Sequence, residues 1–469
     1  MTSRLISAAL SLSLTCLSLS CAPADPPTPA RIAAQTQPAS PRTLYPVLLP
    51  WRVVTQCADG GIEQSDFPRW GYIDRQGNLV IGPLLQMMSD FVDGVAPAEI
   101  DLECVAIGPD GRLTERLSTG FRRWRDGQST TRPRNERHCL IDTEGRVIVG
   151  PLPPGVLIQH LSSGVALVHE GSVFHHFGYL TTAGRWLVEP GAPEAHPFHE
   201  GLGRVRLHGA SGGRVGDIFL GRIRFMDTHG QIAFANVSNG VPGGAFDAAD
   251  DFSEGLAAVS VKDKWGYIDR SGKLAIPPKF AYASKFAEGL AVAVDDHHKY
   301  GYIDRSGAWV IPPRLAFAQE FSEGFAGVET DNGKSGYIDR TGQWLVGPDY
   351  DFTRDFSSGL AVVGRAVGGS YLYGYIDRTG KALTPLIYSE ANPIVEGMGR
   401  VCRADPDGLR WGYVDATGKV AIPPQFGSAR DFHNGLAMVD LDTEHSAYID
   451  KQGTTVWKSP RRREGWFRE

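Results

Sequence analysis

The chain has 469 residues, a net charge of −6 and 42% hydrophobic residues. That is enough apolar material for a folded protein, and without a basic stripe nucleic acid is excluded as an expected partner. The 56 glycines and 31 prolines point to many turns, and so to short strands rather than long helices.

Residues 5–20, "LISAALSLSLTCLSLS", follow Arg4 and form an apolar stretch too short and too serine-rich for a membrane span. They read as a signal peptide, residues 1–20. The ending "SLSLSC" resembles a bacterial lipoprotein signal, which implies lipidation of Cys21; simple cleavage and release to the periplasm or outside is the alternative. Residues 21–46 are rich in Pro, Ala and Thr and read as a solvated tether. The expected location is therefore extracytoplasmic, with membrane contact only through the N-terminal lipid. Cys57, Cys104, Cys139 and Cys402 remain after processing. An exported compartment permits disulfides between them, and their spacing leaves the pairing open. The absence of any C-x-x-C pair argues against a zinc knuckle or a thioredoxin-like motif.

The chain then repeats itself. "GYIDRSG" and its variants end in a glycine that recurs from Gly77 through Gly272, Gly307 and Gly342 to Gly453, at intervals of 34 to 46 residues. A second marker, Phe-x-x-Gly-Leu-Ala, alternates with it, as in "FSEGLAAV" (252–259) and "FAEGLAVA" (286–293), with weaker forms at Gly60 and Gly127. Paired, the markers define about eleven units over residues 57–458. Residues 47–245 hold degenerate units one to five with insertions, 246–458 hold regular units six to eleven, and 459–469 form a basic tail.

Each unit has a physical reading. "GLAAVSV" (255–261) is a strand and "WGYID" (265–269) a second, with Trp265, Tyr267 and Asp269 on one side and Gly266 and Ile268 on the other. "DRSG" is a hairpin turn in which the Asp carboxylate accepts backbone N–H groups and Gly supplies a positive φ. "KLAIPP" is a third strand, ended by its prolines. "KFAYASKF" returns the chain through an irregular helical turn. One such meander cannot bury its apolar face alone, so neighbours must share a core. The expected fold is all-β: an array of about eleven three-stranded antiparallel β-meanders forming an open spiral or solenoid. A β-propeller-like ring, or paired propellers, is the alternative, since a ring usually holds four to eight four-stranded blades.

The recurring W-G-Y-I-D-x-x-G-x-x-x-I-P-P string with its trailing F-x-x-G-L-A resembles the bacterial WG-repeat (KWG) family over about 400 residues. The resemblance implies a β-rich repeat protein without an established enzymatic activity. Cys104, His138, Ser335 and Ser446 stand at the usual Trp position, and Val105, Cys139 and Arg224 replace the Gly.

Several patterns could carry chemistry. Asp recurs in the turns, but a catalytic group is needed once and a turn group in every unit, so turn geometry is the reading. Dense carboxylates for calcium are absent. "GASGG" (209–213) formally fits G-x-S-x-G around Ser211 but sits in a glycine-rich insertion without the required strand and helix. Histidines crowd between His160 and His229; His175 and His176 would point to opposite faces of a strand, so solvated or partner-facing histidines are expected rather than a metal site. The recurring tyrosines and Trp70, Trp265 and Trp411 read first as core, and as a stacking ladder if one row is exposed.

The expected function is a non-enzymatic scaffold, without a cofactor or metal, that binds an envelope or extracellular protein or glycan. A hydrolase acting on envelope carbohydrate or peptide is the alternative. A specific site should lie where the units differ. The candidates are Arg122, Arg123 and Arg125 in the basic run, His196 and His199, and Arg214 in the insertion.

Overall fold

The computed structural model describes residues 43–56, 62–87, 89–102, 105–115, 135–171, 176–207, 222–234, 245–406 and 408–460. Among the described residues every regular element is a strand and none a helix. The strands form nine antiparallel sheets, the blades of a β-propeller, and one separate two-stranded hairpin. The chain thus forms the ring given as the alternative, and not an open spiral.

Blade 4 shows how the repeat builds a blade. Its strands are Ala248–Ala249, Leu256–Val261, Lys264–Asp269 and Leu274–Phe280, paired in that order. The stretch read as an irregular helical return is itself a strand, Tyr282–Ala287, and it heads blade 5. A complete unit therefore has four strands and not three.

Alternation along the third strand serves two cores. Tyr267 packs with Phe286, Ala291 and Ile303 of blade 5, whereas Ile268 packs with Phe225, Phe246 and Phe252 on the opposite side. Both faces of the sheet are buried, each against a different neighbour, which is why the strands are nearly continuously apolar.

The glycine of the W-G pair is dictated by close approach. The outer strand shifts register between Trp265 and Tyr267, and its Ile-Pro-Pro segment passes so near that a side chain on Gly266 would collide with the Ile276 carbonyl. Where Cys139 replaces this glycine, the facing outer strand carries Gly150 at the position of the first proline. A side chain on Gly150 would lie 3.0 Å from Cys139 Cβ, so the two positions exchange bulk. The turn also behaves as its residues require. Asp269 Oδ1 accepts from the N–H groups of Ser271 (2.9 Å) and Lys273 (3.0 Å), and Gly272 has φ 79°.

The degenerate half departs from its expected division. Blade 1 has six strands in the order β1 (Tyr45–Gln56), β2 (Ile62–Ile73), β3 (Leu79–Met87), β4 (Val95–Asp101), β7 (Glu136–Asp142) and β8 (Val147–Val149). The hairpin β5 (Val105–Ile107) and β6 (Leu113–Glu115) stands apart, inserted between β4 and β7. Strand β4 pairs with β7 through Val95↔Asp142, the register of Leu256↔Asp269 in blade 4. The expected units two and three are thus one unit with an insertion. Eleven markers resolve into ten units, two of them fused in blade 1 because β3 continues far enough to pair with β4 at Met87↔Glu99. Strand β1 begins at Tyr45, inside the stretch read as tether, and Gly60 lies outside the described residues in the connection after β1.

The ring closes with the contact used between its units. A side chain on Gly307 would meet Ile276 of the preceding blade, and one on Gly453 would meet Ile422. The counterpart in the first unit, Gly77, faces Val456 and Trp457 of the last blade. Tyr45, Val47 and Ile73 share a core with Leu436 and Tyr448.

Candidate binding surface

Four successive units place charged side chains just before the Phe of F-x-x-G-L-A: Asp251, Lys285, Glu320 and Asp355. Lys285 lies in the edge strand opposite the Ile-Pro-Pro strand of its sheet, and Asp251, Glu320 and Asp355 follow the corresponding edge strands by two residues. The charge of Lys285 in blade 5 is felt at Asp355 in blade 7, and that of Asp250 in blade 4 at Glu320 in blade 6. Each pair skips a blade, and only side chains near the ring axis come so close. These strands are therefore the inner ones, and the charges form an axial row.

The row is internally paired. Lys285 Nζ lies 3.1 Å from Glu320, and Arg204 Nε lies 2.6 Å from Asp251. Burial pushes the carboxyls of Glu320 and Asp355 above the ordinary range, partly offset by Lys285. Water reaches Asp355, but the converging blades crowd it and weaken its solvation.

The same inner strands begin with aromatics. Tyr282 stands edge-on to Trp265 (5.4 Å between ring centres), Phe317 beside Tyr300 (5.5 Å) and Phe352 edge-on to Tyr373 (5.5 Å). Tyr371 stacks on Tyr373 at 6.2 Å. Because Tyr282, Phe317 and Phe352 occupy one repeat position, they lie on one face at one radius. Tyr282, Phe317 and Tyr371 are 43, 47 and 49% exposed. Ion pairs Lys264–Asp296, Lys299–Asp331 and Lys334–Asp351 join neighbouring units. The result is an aromatic arc beside the axial charges.

The tyrosines expected as a possible ladder are not this arc. Tyr267, Tyr302, Tyr337, Tyr375 and Tyr413 are fully buried, and Tyr448 is buried as well. The signal for the arc was present one motif further on, in the aromatic that follows "KF-A", "RL-A" and "DY-D" (Tyr282, Phe317 and Phe352), a stretch read as a connection.

Of the expected site residues, Cys21, Arg122, Arg123, Arg125 and Arg214 lie outside the described residues. His196 and His199 are on blade 3 but face different carboxylates. His196 Nε2 is 2.9 Å from Glu194, which also binds Arg206 (2.8 Å); His199 Nε2 is 3.4 Å from Asp251. His199 thus joins the axial row, and the two rings do not form one chelate. Among the described residues no group of three or more His, Cys, Asp or Glu is placed to hold a metal ion. Cys139 and Cys402 are free, buried thiols; Cys57 and Cys104 fall outside the described residues.

A family model described as "WG containing repeat" matches residues 70–101, 177–209, 244–265, 265–296, 300–334, 336–364, 373–404 and 411–442, together more than half of the chain. The chain belongs to the WG-repeat family. No curated protein matches it. Among solved structures, this WG-repeat protein is similar to a eukaryotic initiation factor at 10% identity and TM-score 0.44, covering 69% of this chain and 92% of that one. It is similar to BamB from Moraxella catarrhalis at 12% identity and TM-score 0.30, covering 64% and 90%. For apo AztD from Citrobacter koseri the values are 10%, 0.32, 65% and 94%. Likenesses at this level carry no functional argument.

Proposed function

We propose that this WG-repeat protein is an extracytoplasmic, non-enzymatic scaffold, anchored by a lipid on Cys21, that binds a protein partner on its aromatic arc. The observation that supports this reading is the exposure of Tyr282 and Phe317 at one repeat position of adjoining blades, continued in the next blade by Tyr371 through Tyr373 and Phe352. Aromatic side chains give large contact area at low entropic cost, and flanking charges set orientation. The region of greatest sequence irregularity yields first place to the regular blades.

Capture from envelope extract tests this reading. Tyr282→Ala with Phe317→Ala should retain the fold, reported by unchanged circular dichroism, and lose at least about tenfold of partner recovery, as expected when two anchors are truncated. Equal recovery by the folded double variant overturns the arc as the docking face.

A hydrolase would draw on Glu320 and Asp355, the described carboxyls whose pKa values are raised. Glu320 is held by Lys285, which suits an axial ion pair better than a proton donor. Turnover of envelope glycan or peptide by the wild type that is lost in Asp355→Asn would replace the scaffold reading.

A further inference from the structure

Two adjoining blades carry longer central hairpins than the blades before them. The strand after the F-x-x-G marker runs from Leu360 to Val367 in blade 7 and from Met398 to Asp405 in blade 8, paired along its whole length. Its counterparts end sooner, at Leu290–Val294 in blade 5 and Phe325–Glu329 in blade 6. Three further residues at the rise of a strand carry each hairpin about 10 Å beyond its neighbours. Two projections therefore stand side by side.

The face that blade 7 turns to blade 8 is aromatic. Val362 and Tyr375 share a core with Val401 and Val414 of blade 8, and strand alternation puts Tyr371 and Tyr373 on the same face as Tyr375. The residues opposite them are small, Ala366 and Gly364, and a side chain on Gly364 would strike the Tyr373 ring. The two rings thus have room to lie over the hairpin. They stack at 6.2 Å between ring centres, and Tyr371 is half-exposed.

The facing side of blade 8 is basic. Alternation from Val401 and Val414 puts Arg403 and Arg410 towards blade 7, and the two are directly opposite each other in the ladder. Burial raises the hydroxyl pKa of Tyr388, and the charge of Arg403 pulls it back. Tyr388 is bridged to Tyr373, so that charge stands before the aromatic face. Arg410 occupies the repeat position of Lys264 and Lys299, which Asp296 and Asp331 of the next blade neutralise. The corresponding aspartate of blade 9, Asp442, is held by His445 at 2.9 Å instead. Glu390 stands opposite Cys402 and so on the other face. Asp405 shares the face at the hairpin end, and two guanidinium groups outweigh its one carboxylate. Like charges directly opposite repel, and an anion seated between them removes the repulsion.

We propose that the hairpins of blades 7 and 8 grip an acidic segment of the protein partner, with a carboxylate between Arg403 and Arg410 and the side chain beside it on Tyr371. The site rests on the reading of the aromatic arc as a docking face, and it names the chemistry that this face selects. Arginine forks match carboxylates with two parallel hydrogen bonds. An acidic peptide fits better than a glycan, because neither of the facing hairpin surfaces carries an Asn or Gln amide to meet sugar hydroxyls.

Fluorescence polarisation on the full chain tests this with two labelled peptides, acetyl-Glu-Glu-Tyr-Glu-Glu-amide and its Gln counterpart. The wild type should bind the acidic peptide at least about tenfold more tightly than the neutral one. Arg403→Gln with Arg410→Gln should keep the fold, shown by an unchanged or raised melting temperature, and should bind the two peptides equally. Tyr371→Ala should weaken the acidic peptide by about fivefold while keeping the preference for it. No preference in the wild type, or a preference that survives in the folded double variant, overturns the proposal. Tighter binding of polygalacturonate than of the acidic peptide would assign the site to a glycan and overturns it as well. The arc itself is judged by envelope capture with the Tyr282 and Phe317 variant, so either reading can fail without the other.

Discussion

The hydroxyl of Tyr448 in the last blade donates to the carbonyl of Pro46 in the first, at 2.9 Å and across 402 residues. Elsewhere the equivalent tyrosine reaches forward by 17 residues: Tyr267 to Ser284, Tyr302 to Gln319 and Tyr413 to Arg430. The seam thus repeats the chemistry of the other interfaces with a partner from the opposite end of the ring. Tyr448→Phe should lower stability by about 1 kcal/mol, the net worth of one buried hydrogen bond. Thermal unfolding would read this as a drop of a few degrees, and an unchanged melting temperature would argue that the seam is open in solution.

Gly272→Val should be among the most damaging turn substitutions. The position has φ 79°, and an added side chain would run into the Phe234 ring. Gly324 has φ 89° but open space around it, so Gly324→Val pays only for conformation. The expected losses are about 3 kcal/mol for Gly272→Val and about 1–2 kcal/mol for Gly324→Val. Denaturant melts of the two variants would check the order, and a reversed order contradicts the clash.

Acid should destabilise the protein in two windows. Burial lowers the pKa of His138 from 6.5 to about 4, so the folded state holds the ring neutral while the unfolded chain protonates it. Its contribution is present above pH 6.5 and is lost as pH falls from 6.5 towards 4. The full shift corresponds to about 3 kcal/mol at most. The turn carboxylates of Asp269, Asp304, Asp339, Asp377 and Asp415 are held below their ordinary 3.8, first by the Ser or Thr hydroxyl two residues on and then by backbone N–H groups. Their stabilisation is present above 3.8 and disappears as they protonate below it. Melting temperatures between pH 7 and 3 should fall in both windows, and His138→Gln should flatten the first. A pH-independent melting temperature from 7 to 4 would remove His138 from the account.

Cys21→Ala should abolish fatty-acid labelling and membrane fractionation if Cys21 carries the lipid. Unaltered labelling of the variant, or a wild-type protein recovered free after processing, would dismiss the anchor.

The sequence made the turn and the core legible because each rests on local chemistry repeated many times: Asp269 with Gly272, and Tyr267 with Phe286. Ring closure was not legible, since it depends on small rotations between blades and on what Gly77 meets, at a separation no short motif encodes. The unit count failed at Gly111, where an inserted hairpin, β5–β6, mimics the turn of a true unit. Only the pairing of Val95 with Asp142 distinguishes insertion from repeat. The arc was missed for a related reason. Tyr282, Phe317 and Phe352 sit where the prolines suggested a connection, and the inner strands they begin are as short as two residues.

The contact between Gly77 and Val456 also bears on how the molecule comes apart. In a linear array a terminal unit leaves by breaking one interface, so fraying proceeds from the ends. A ring has no terminal unit. Any blade must lose two interfaces before it is released, and the first opening frees little chain entropy because both new ends stay held by their other neighbours. Unfolding should therefore be slow relative to the equilibrium stability, with kinetic persistence concentrated at the seam. Persistence of this kind is a property of closure itself, and it is separate from the depth of the energy minimum.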